Sequence, residues 1–152
     1  MAHSKSLARE FSLHFFYQAI SKTGPSVFNC AEYDISDTEL NEFQSHFSEL
    51  HQELKLTKKD KNLANQLIYG VSKNFENILG LINGHSKGGK IEKISSIDSA
   101  ILLLSTHELA NLETPLKVVM DEYINLSKKY SEKNTYSFIN GVLDAIAKEV
   151  RN

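Results

Sequence analysis

The sequence predicts an all-α protein organised as a single domain over residues 1–152. Three observations lead there. Apolar residues recur at spacings of three and four through most of the chain, the mark of a helix with one face on a core. Hydroxyl residues followed three positions later by a carboxylate stand just ahead of several of these runs, the form of a helix-opening capping box. No stretch reads convincingly as a strand.

In chain order, the first helix runs from about Lys5 to Ser21. Leu13, Phe16, Tyr17 and Ile20 share one side of it, Phe11 and Phe15 another, and Gly24-Pro25 ends it. Residues 25–35 read as a loop. Ser36-Asp37-Thr38-Glu39 then opens an acidic helix with Leu40, Phe43, Phe47, Leu50 and Leu54 inward. Thr57-Lys58-Lys59-Asp60 caps a long third segment carrying Leu63, Leu67, Val71, Phe75, Ile78 and Ile82, which Gly70 or Gly80 would bend or divide. His85-Ser86-Lys87-Gly88-Gly89-Lys90 has the composition of a basic loop.

The C-terminal third reads as three consecutive helices. Ser95-Ser96-Ile97-Asp98 opens the first, and Leu102, Leu103 and Leu109 widen its apolar stripe so far that it must be central and buried. Thr114 as N-cap and Pro115 at the first helical position restart the chain. Val119, Tyr123, Leu126 and Tyr130 form a narrow core-facing seam, with Lys128 and Lys129 favourably placed in the last turn. Asn134-Thr135 caps the final helix, whose rows Phe138-Val142-Ala145 and Ile139-Leu143-Ile146-Val150 imply two packed faces. Gly141 costs that helix roughly 1 kcal/mol against alanine; it is either simply tolerated or admits the close approach of a helix or a ligand. The expected core includes Ile97, Ile101, Leu104, Val119, Leu126, Val142 and Ile146.

Composition narrows the classes of function. No apolar run reaches membrane length, and the start of the chain lacks the apolar segment of a secretory leader. The single cysteine, Cys30, excludes an intrachain disulfide and any cysteine-based zinc site, and a reducing cytoplasm is the expected compartment. The net charge of −2 is uneven: residues 29–56 hold seven acids against one lysine, leaving the remainder with sixteen basic and twelve acidic residues. That asymmetry permits a basic face.

Partial catalytic motifs fail at decisive positions. Gly84-His85-Ser86-Lys87-Gly88-Gly89-Lys90 has phosphate-loop spacing, but Ile91 replaces the hydroxyl that holds magnesium, and a helical pattern precedes it where a strand is required. His107-Glu108-Leu109-Ala110-Asn111 starts like a zinc-protease helix but ends in Asn111 where the second ligand belongs. The remaining histidines show no i, i+4 pairing. The sequence therefore points to no metal, no cofactor and no enzyme.

Two segments carry a family resemblance. Ala8-Arg9-Glu10 with Tyr17-Gln18 matches one opening pattern. In the C-terminal block, Ile97-Asp98, Ala100-Ile101-Leu102, Glu108-Leu109, Pro115, Lys117-Val118-Val119, Glu122 and Phe138-Ile139-Asn140-Gly141-Val142-Leu143-Asp144 fall in the matching order. Together they resemble the NusB family of bacterial transcription antitermination factors. The resemblance implies two perpendicular three-helix bundles without catalysis. It also implies binding of boxA RNA alongside the ribosomal protein NusE, within an RNA polymerase antitermination complex that reads through terminators, chiefly in ribosomal RNA operons. A homodimer is a further possible state of such a fold, and no membrane is involved.

Carried over residue by residue, the resemblance offers Lys5 and Arg9 to RNA phosphates and puts Tyr17, Lys117, Phe138, Asn140 and Gly141 on the RNA side; it gives Asp98, His107 and Glu108 to the protein partner. Single-stranded RNA is read by cations on phosphates and aromatic rings under bases, so these residue types suit the task. The chain departs from the pattern in a thinned basic N-terminus, in Leu103 where an arginine is usual and in Leu116 where a tyrosine is common. Fewer cations release fewer counterions, so binding by the isolated chain is expected to be weak. The alternative is a helical interaction protein with little or no RNA binding of its own.

Overall fold

The computed structural model describes residues 3–24, 37–50, 56–86 and 91–151. Among them the regular structure is helical: α1 (His3–Thr23), α2 (Asp37–Leu50), α3 (Lys58–Lys73), α4 (Phe75–His85), α5 (Ser96–Asn111), α6 (Leu116–Tyr130) and α7 (Thr135–Val150), with a short 3₁₀ turn at Ile91–Lys93. The all-α expectation holds. The loop at 25–35, the cap at Ser36, Leu54, Cys30 and positions 87–90 lie outside the described residues, as do the side chains of Leu40, Phe47 and Leu50.

Helix α5 is the axis of the molecule. Every residue from Asp98 to Leu109 is buried, and α1, α3, α4, α6 and α7 all pack against it. A helix apolar on one stripe alone would leave its other side wet; this one is covered all round, as its widened apolar pattern requires. Of the expected core residues, Ile101, Leu104, Val119, Leu126, Val142 and Ile146 are buried, whereas Ile97, in the first turn of α5, is only partly covered. On the far side, Phe43 of α2 packs edge-on against Phe11 and Phe15 of α1, with ring centroids 5.2 and 5.4 Å apart.

The helix ends show which local signals operate. Thr57 and Asp60 form a complete capping box at the start of α3. At α5, Ser95 accepts from the Asp98 amide and gives its own hydroxyl hydrogen to the Asp98 carboxylate at 2.8 Å. At α6 the N-cap is Pro115, and Thr114 sends its hydroxyl to Glu108. Asn134 starts α7 in the left-handed region, at φ 73°, without a side-chain cap. The long third segment divides at Asn74, not at either glycine; the Asn74 side-chain amide donates to the Gly70 carbonyl at 2.9 Å, closing the end of α3. At the far end of the chain Arg151 donates to the carbonyls of Leu109, Glu108 and Leu112, so the end of α7 satisfies the open end of α5.

Gly70 has a different task. A Cβ there would lie 2.1 Å from Nε2 of His107. The missing side chain is what lets the His107 ring of α5 lie against the backbone of α3.

Candidate nucleic-acid interface

Arg9, the expected phosphate contact, is inside the molecule. Its side chain is 1 % exposed, and its guanidinium donates Nε to Glu108 Oε2 at 2.7 Å and Nη2 to Glu108 Oε1 at 2.8 Å. Nη1 adds Glu122 at 3.4 Å. Glu108 also accepts from the hydroxyls of Tyr123 and Thr114, and Glu122 accepts from Ser6 at 2.6 Å. Burial alone would discourage both charges, but each finds the other: the bidentate bond holds the Arg9 proton more firmly than usual and lowers the Glu108 carboxyl. Burial and the adjacent Glu108 carboxylate raise the Tyr123 phenol. The fork is therefore a tie between α1, α5 and α6, enclosed where a phosphate does not reach it.

The three expected partner contacts are likewise internal. Glu108 is 0 % and His107 3 % exposed. His107 accepts at Nδ1 from Asn111 at 3.1 Å while the Gln66 carbonyl takes its other side; burial outweighs both that carbonyl and the nearby Glu108 in setting its affinity for a proton, which falls below the ordinary value. Asp98 is buried too, one oxygen bound to Ser95 and the other to Ser131. These residues shape the fold and present no surface to a partner.

The rest of the expected RNA residues are accessible, but they do not gather where the N-terminus begins. Contacts of Ser6 with Glu122, Glu10 with Lys129 and His14 with Tyr130 show that α1 and α6 run side by side in the same direction. Lys5 is exposed next to Ser6, which meets Glu122 halfway along α6. Lys117 is exposed in the first turn of α6, yet five residues from Glu122 it points about 140° away around the helix. With Arg9 enclosed and Lys117 turned away from the Glu122 side of α6, Lys5, Arg9 and Lys117 make no common basic face.

Lys117 instead shares its stripe with Lys128, eleven residues on, about 20° around and about 16 Å along the axis. The Lys128 ammonium stands over the Tyr136 ring, 5.0 Å from its centroid, an arrangement that holds a cation beside an open aromatic face. Tyr136 is 37 % exposed. Asn140 follows one turn later on the same face of α7, and next to it Gly141 is open: a Cβ there would meet no described atom within 4 Å. No helix of the described structure approaches Gly141. Phe138, half-buried, packs against the core and shows only part of its ring.

Across the end of α6 from this corner lies Tyr17. It is 44 % exposed, one turn of α1 beyond His14, which meets Tyr130 at 3.1 Å. Glu10 accepts from both Lys129, at 2.6 Å, and Tyr130, and despite partial burial its carboxyl is lowered by them; burial and the Glu10 bond together raise the Tyr130 phenol. Asp98 bonded to Ser131 draws the start of α5 to the same place. Exposed Lys128, Lys129 and Lys133 thus fall with Tyr130 and Tyr136 in the segment that joins α6 to α7, and Tyr17 lies one turn of α1 beyond the His14–Tyr130 contact. Sequence reasoning passed over Lys128, Lys133 and Tyr136. The signal was present as three lysines and two tyrosines between positions 128 and 136.

Among the described residues there is no group of three or more histidine, cysteine or acidic side chains able to hold a metal ion, and no helix long and apolar enough to cross a membrane.

Comparison with known proteins agrees with this architecture. The chain superposes on the structure of NusB from T. maritima with a TM-score of 0.74 at 27 % identity, covering 95 % of this chain and 91 % of that one. It is 34 % identical over 120 residues to the transcription antitermination protein NusB of a Nitratiruptor species, spanning 79 % of this chain and 84 % of that protein. To the NusB of Thermodesulfovibrio yellowstonii it is 32 % identical over 144 residues, 93 % and 90 % of the two chains. The similarity to the Syntrophotalea carbinolica NusB is higher, 38 %, but spans 59 % of that protein. The model of the NusB family matches residues 7–148. The chain belongs to the NusB family of transcription antitermination proteins.

Proposed function

We propose that this protein binds single-stranded boxA-type RNA jointly with the ribosomal protein NusE, as a non-catalytic, cytoplasmic component of the complex that carries RNA polymerase through terminators. The observation that supports it best is the corner at the end of α6, where Lys128 stands over the exposed Tyr136 ring. A base stacked on Tyr136 or Tyr17 gains roughly 1–3 kcal/mol. Phosphates on either side find Lys128, Lys129 and Lys133, and the stripe back to Lys117 extends the track along α6. Lys5 lies apart from this corner and contributes at most a peripheral contact. Exposed Asn140 suits the reading of a base edge, and the open space at Gly141 suits a close approach of the RNA.

Arg9 being enclosed, the isolated protein has few cations to offer. A partner presenting its own basic surface next to the corner raises affinity by joining two weak contacts into one. The test is fluorescence anisotropy with boxA and scrambled RNA, with and without NusE, at several salt concentrations. Tighter binding of boxA in the presence of NusE is the expected result. Equal affinity for the two RNAs with NusE present overturns the reading and leaves a helical interaction protein without RNA specificity.

A further inference from the structure

Helices α6 and α7 are joined through residues 131–134, and the two halves of the lysine–tyrosine corner stand on either side of that turn. On the α6 side the Ser131 amide donates to the Ser127 carbonyl at 2.8 Å. On the α7 side the amides of Thr135 and Ser137 donate to the carbonyls of Glu132 and Asn134 at 3.1 and 3.3 Å. Among the described residues no hydrogen bond joins one side to the other. Between them Ser131 is extended, at φ −81° and ψ 165°, and Asn134 opens α7 in the left-handed region without a side-chain cap, a conformation that asparagine tolerates but does not enforce. Packing of α7 on α6 sets the two axes; the local bonds of the turn do not fix where its residues stand.

Ser131 is held from outside the turn. Its hydroxyl donates to Oδ1 of Asp98 in the first turn of α5, and its oxygen accepts from the Ser127 hydroxyl at 3.2 Å. Oδ2 of the same carboxylate accepts from the Ser95 hydroxyl at 2.8 Å, while Ser95 Oγ accepts from the Asp98 amide at 3.3 Å. Each hydroxyl gives its one hydrogen towards the carboxylate, which only accepts, so the direction of every bond from Ser127 through Ser131 and Asp98 to Ser95 is settled. Asp98 is 7 % and Ser127 1 % exposed, so little water competes for these bonds. Capping α5 needs Ser95 alone. The second carboxylate oxygen is committed to a residue 33 positions further on, and it ties that residue to the buried axis of the molecule.

We propose that Asp98 is the positioning residue of the lysine–tyrosine corner: through Ser131 it holds the turn between α6 and α7 so that Lys128 stands over the Tyr136 ring. Lys128 adjoins Ser127 in the last turn of α6, and Tyr136 lies in the first turn of α7, five residues past Ser131. Freeing Ser131 therefore loosens the spacing of ammonium and ring while leaving both side chains in the protein. A site already set in its bound arrangement has less to order when a ligand arrives, and binds more tightly for it. The use of that arrangement, a cation and an open ring presented to RNA, rests on the boxA reading proposed for this protein; the arrangement itself does not.

Ser131→Ala in the full chain tests it by two measurements. The first needs no RNA. A lysine held over an aromatic ring has its ε-protons shifted upfield in the NMR spectrum by the ring current. Those of Lys128 should return towards free-lysine values in Ser131→Ala and stay shifted in Ser131→Thr, which keeps the hydroxyl. The second is anisotropy with boxA RNA and NusE. Ser131→Ala should weaken binding roughly three- to tenfold with the salt slope unchanged, because no phosphate contact is removed. Asp98→Ala also takes the cap from α5 and should lower the melting temperature further, yet in the Ser131→Ala background it should add no further loss of affinity. Lys128 ε-protons unmoved by Ser131→Ala overturn the proposal. So do moved protons with boxA binding unchanged, or additive losses of affinity in the double variant. A parent chain that fails to prefer boxA with NusE present overturns the RNA reading instead, and the ε-proton shift then decides the tie alone.

Discussion

Glu108 grips Arg9 through both carboxylate oxygens, at 2.7 and 2.8 Å, across 99 residues of sequence and out of reach of water. A buried pair of this kind is a tie whose breaking strands a charge. Arg9→Ala or Glu108→Ala is expected to lower stability by about 3–5 kcal/mol, measured by urea unfolding. In RNA titrations the salt slope of whatever Arg9→Ala protein remains folded should equal that of the parent, because an enclosed guanidinium releases no counterions. A slope reduced by about 0.7, the value for one lost single-strand phosphate contact, would show that Arg9 does reach RNA.

Lys128 and Tyr136 should behave in the opposite manner. Lys128→Ala is expected to flatten the salt slope by about 0.7 and to weaken boxA and scrambled RNA alike. Tyr136→Ala should cost roughly 1–3 kcal/mol of RNA binding with little change in slope. Both side chains are exposed, so the unfolding midpoint should move little. Asn140→Ala should instead narrow the difference between boxA and scrambled RNA.

How much of this was legible in the sequence differs from element to element, for physical reasons. Helix α5 was readable because its opening at Ser95 and its wide apolar stripe are local facts, and burial all round follows from them. The break at Asn74 was not. Helix propensity marks Gly70 and Gly80 as weak points, but the turn is closed by an amide of Asn74 reaching back to Gly70, while Gly70 itself serves His107 from another helix. Arg9 misled for a similar reason: a basic residue near the start of an exposed-looking helix shows nothing of a carboxylate 99 positions away. Lys128 read as a favourable charge at a helix end, and only its place over Tyr136 suggests a second use.

Acid should destabilise the protein in two stages of like sign. His107 holds its proton less readily than the ordinary value of 6.5, chiefly through burial. The unfolded chain therefore takes up a proton there below about pH 6.5 that the folded one refuses, and stability falls as pH drops through that window. Glu108 and Glu10 are lowered below the ordinary 4.5 by their cationic and hydroxyl partners. Their contribution is complete above that value and is lost as pH falls through the folded one. Urea midpoints between pH 7 and pH 3 should decline in both ranges. His107→Gln should remove the first decline and spare the second; an unchanged first decline would place its origin in another histidine.

Gly70 and Gly141 are both helical glycines, and substitution by alanine should separate them. At Gly70 the new Cβ would stand 2.1 Å from His107 Nε2 and 2.4 Å from its Cε1. The ring is held by Asn111 on one side and by the Gln66 carbonyl on the other, so it cannot withdraw without giving up both. Gly70→Ala should therefore destabilise by about 1–3 kcal/mol, as overpacking does, and the effect should shrink in a His107→Ala background, where the obstacle is gone. At Gly141 the new methyl meets no described atom, and the helix gains up to about 1 kcal/mol in propensity. A more stable Gly141→Ala protein that binds RNA less well would assign this glycine to the close approach of ligand. A more stable protein with RNA binding unchanged would mark it as merely tolerated in α7.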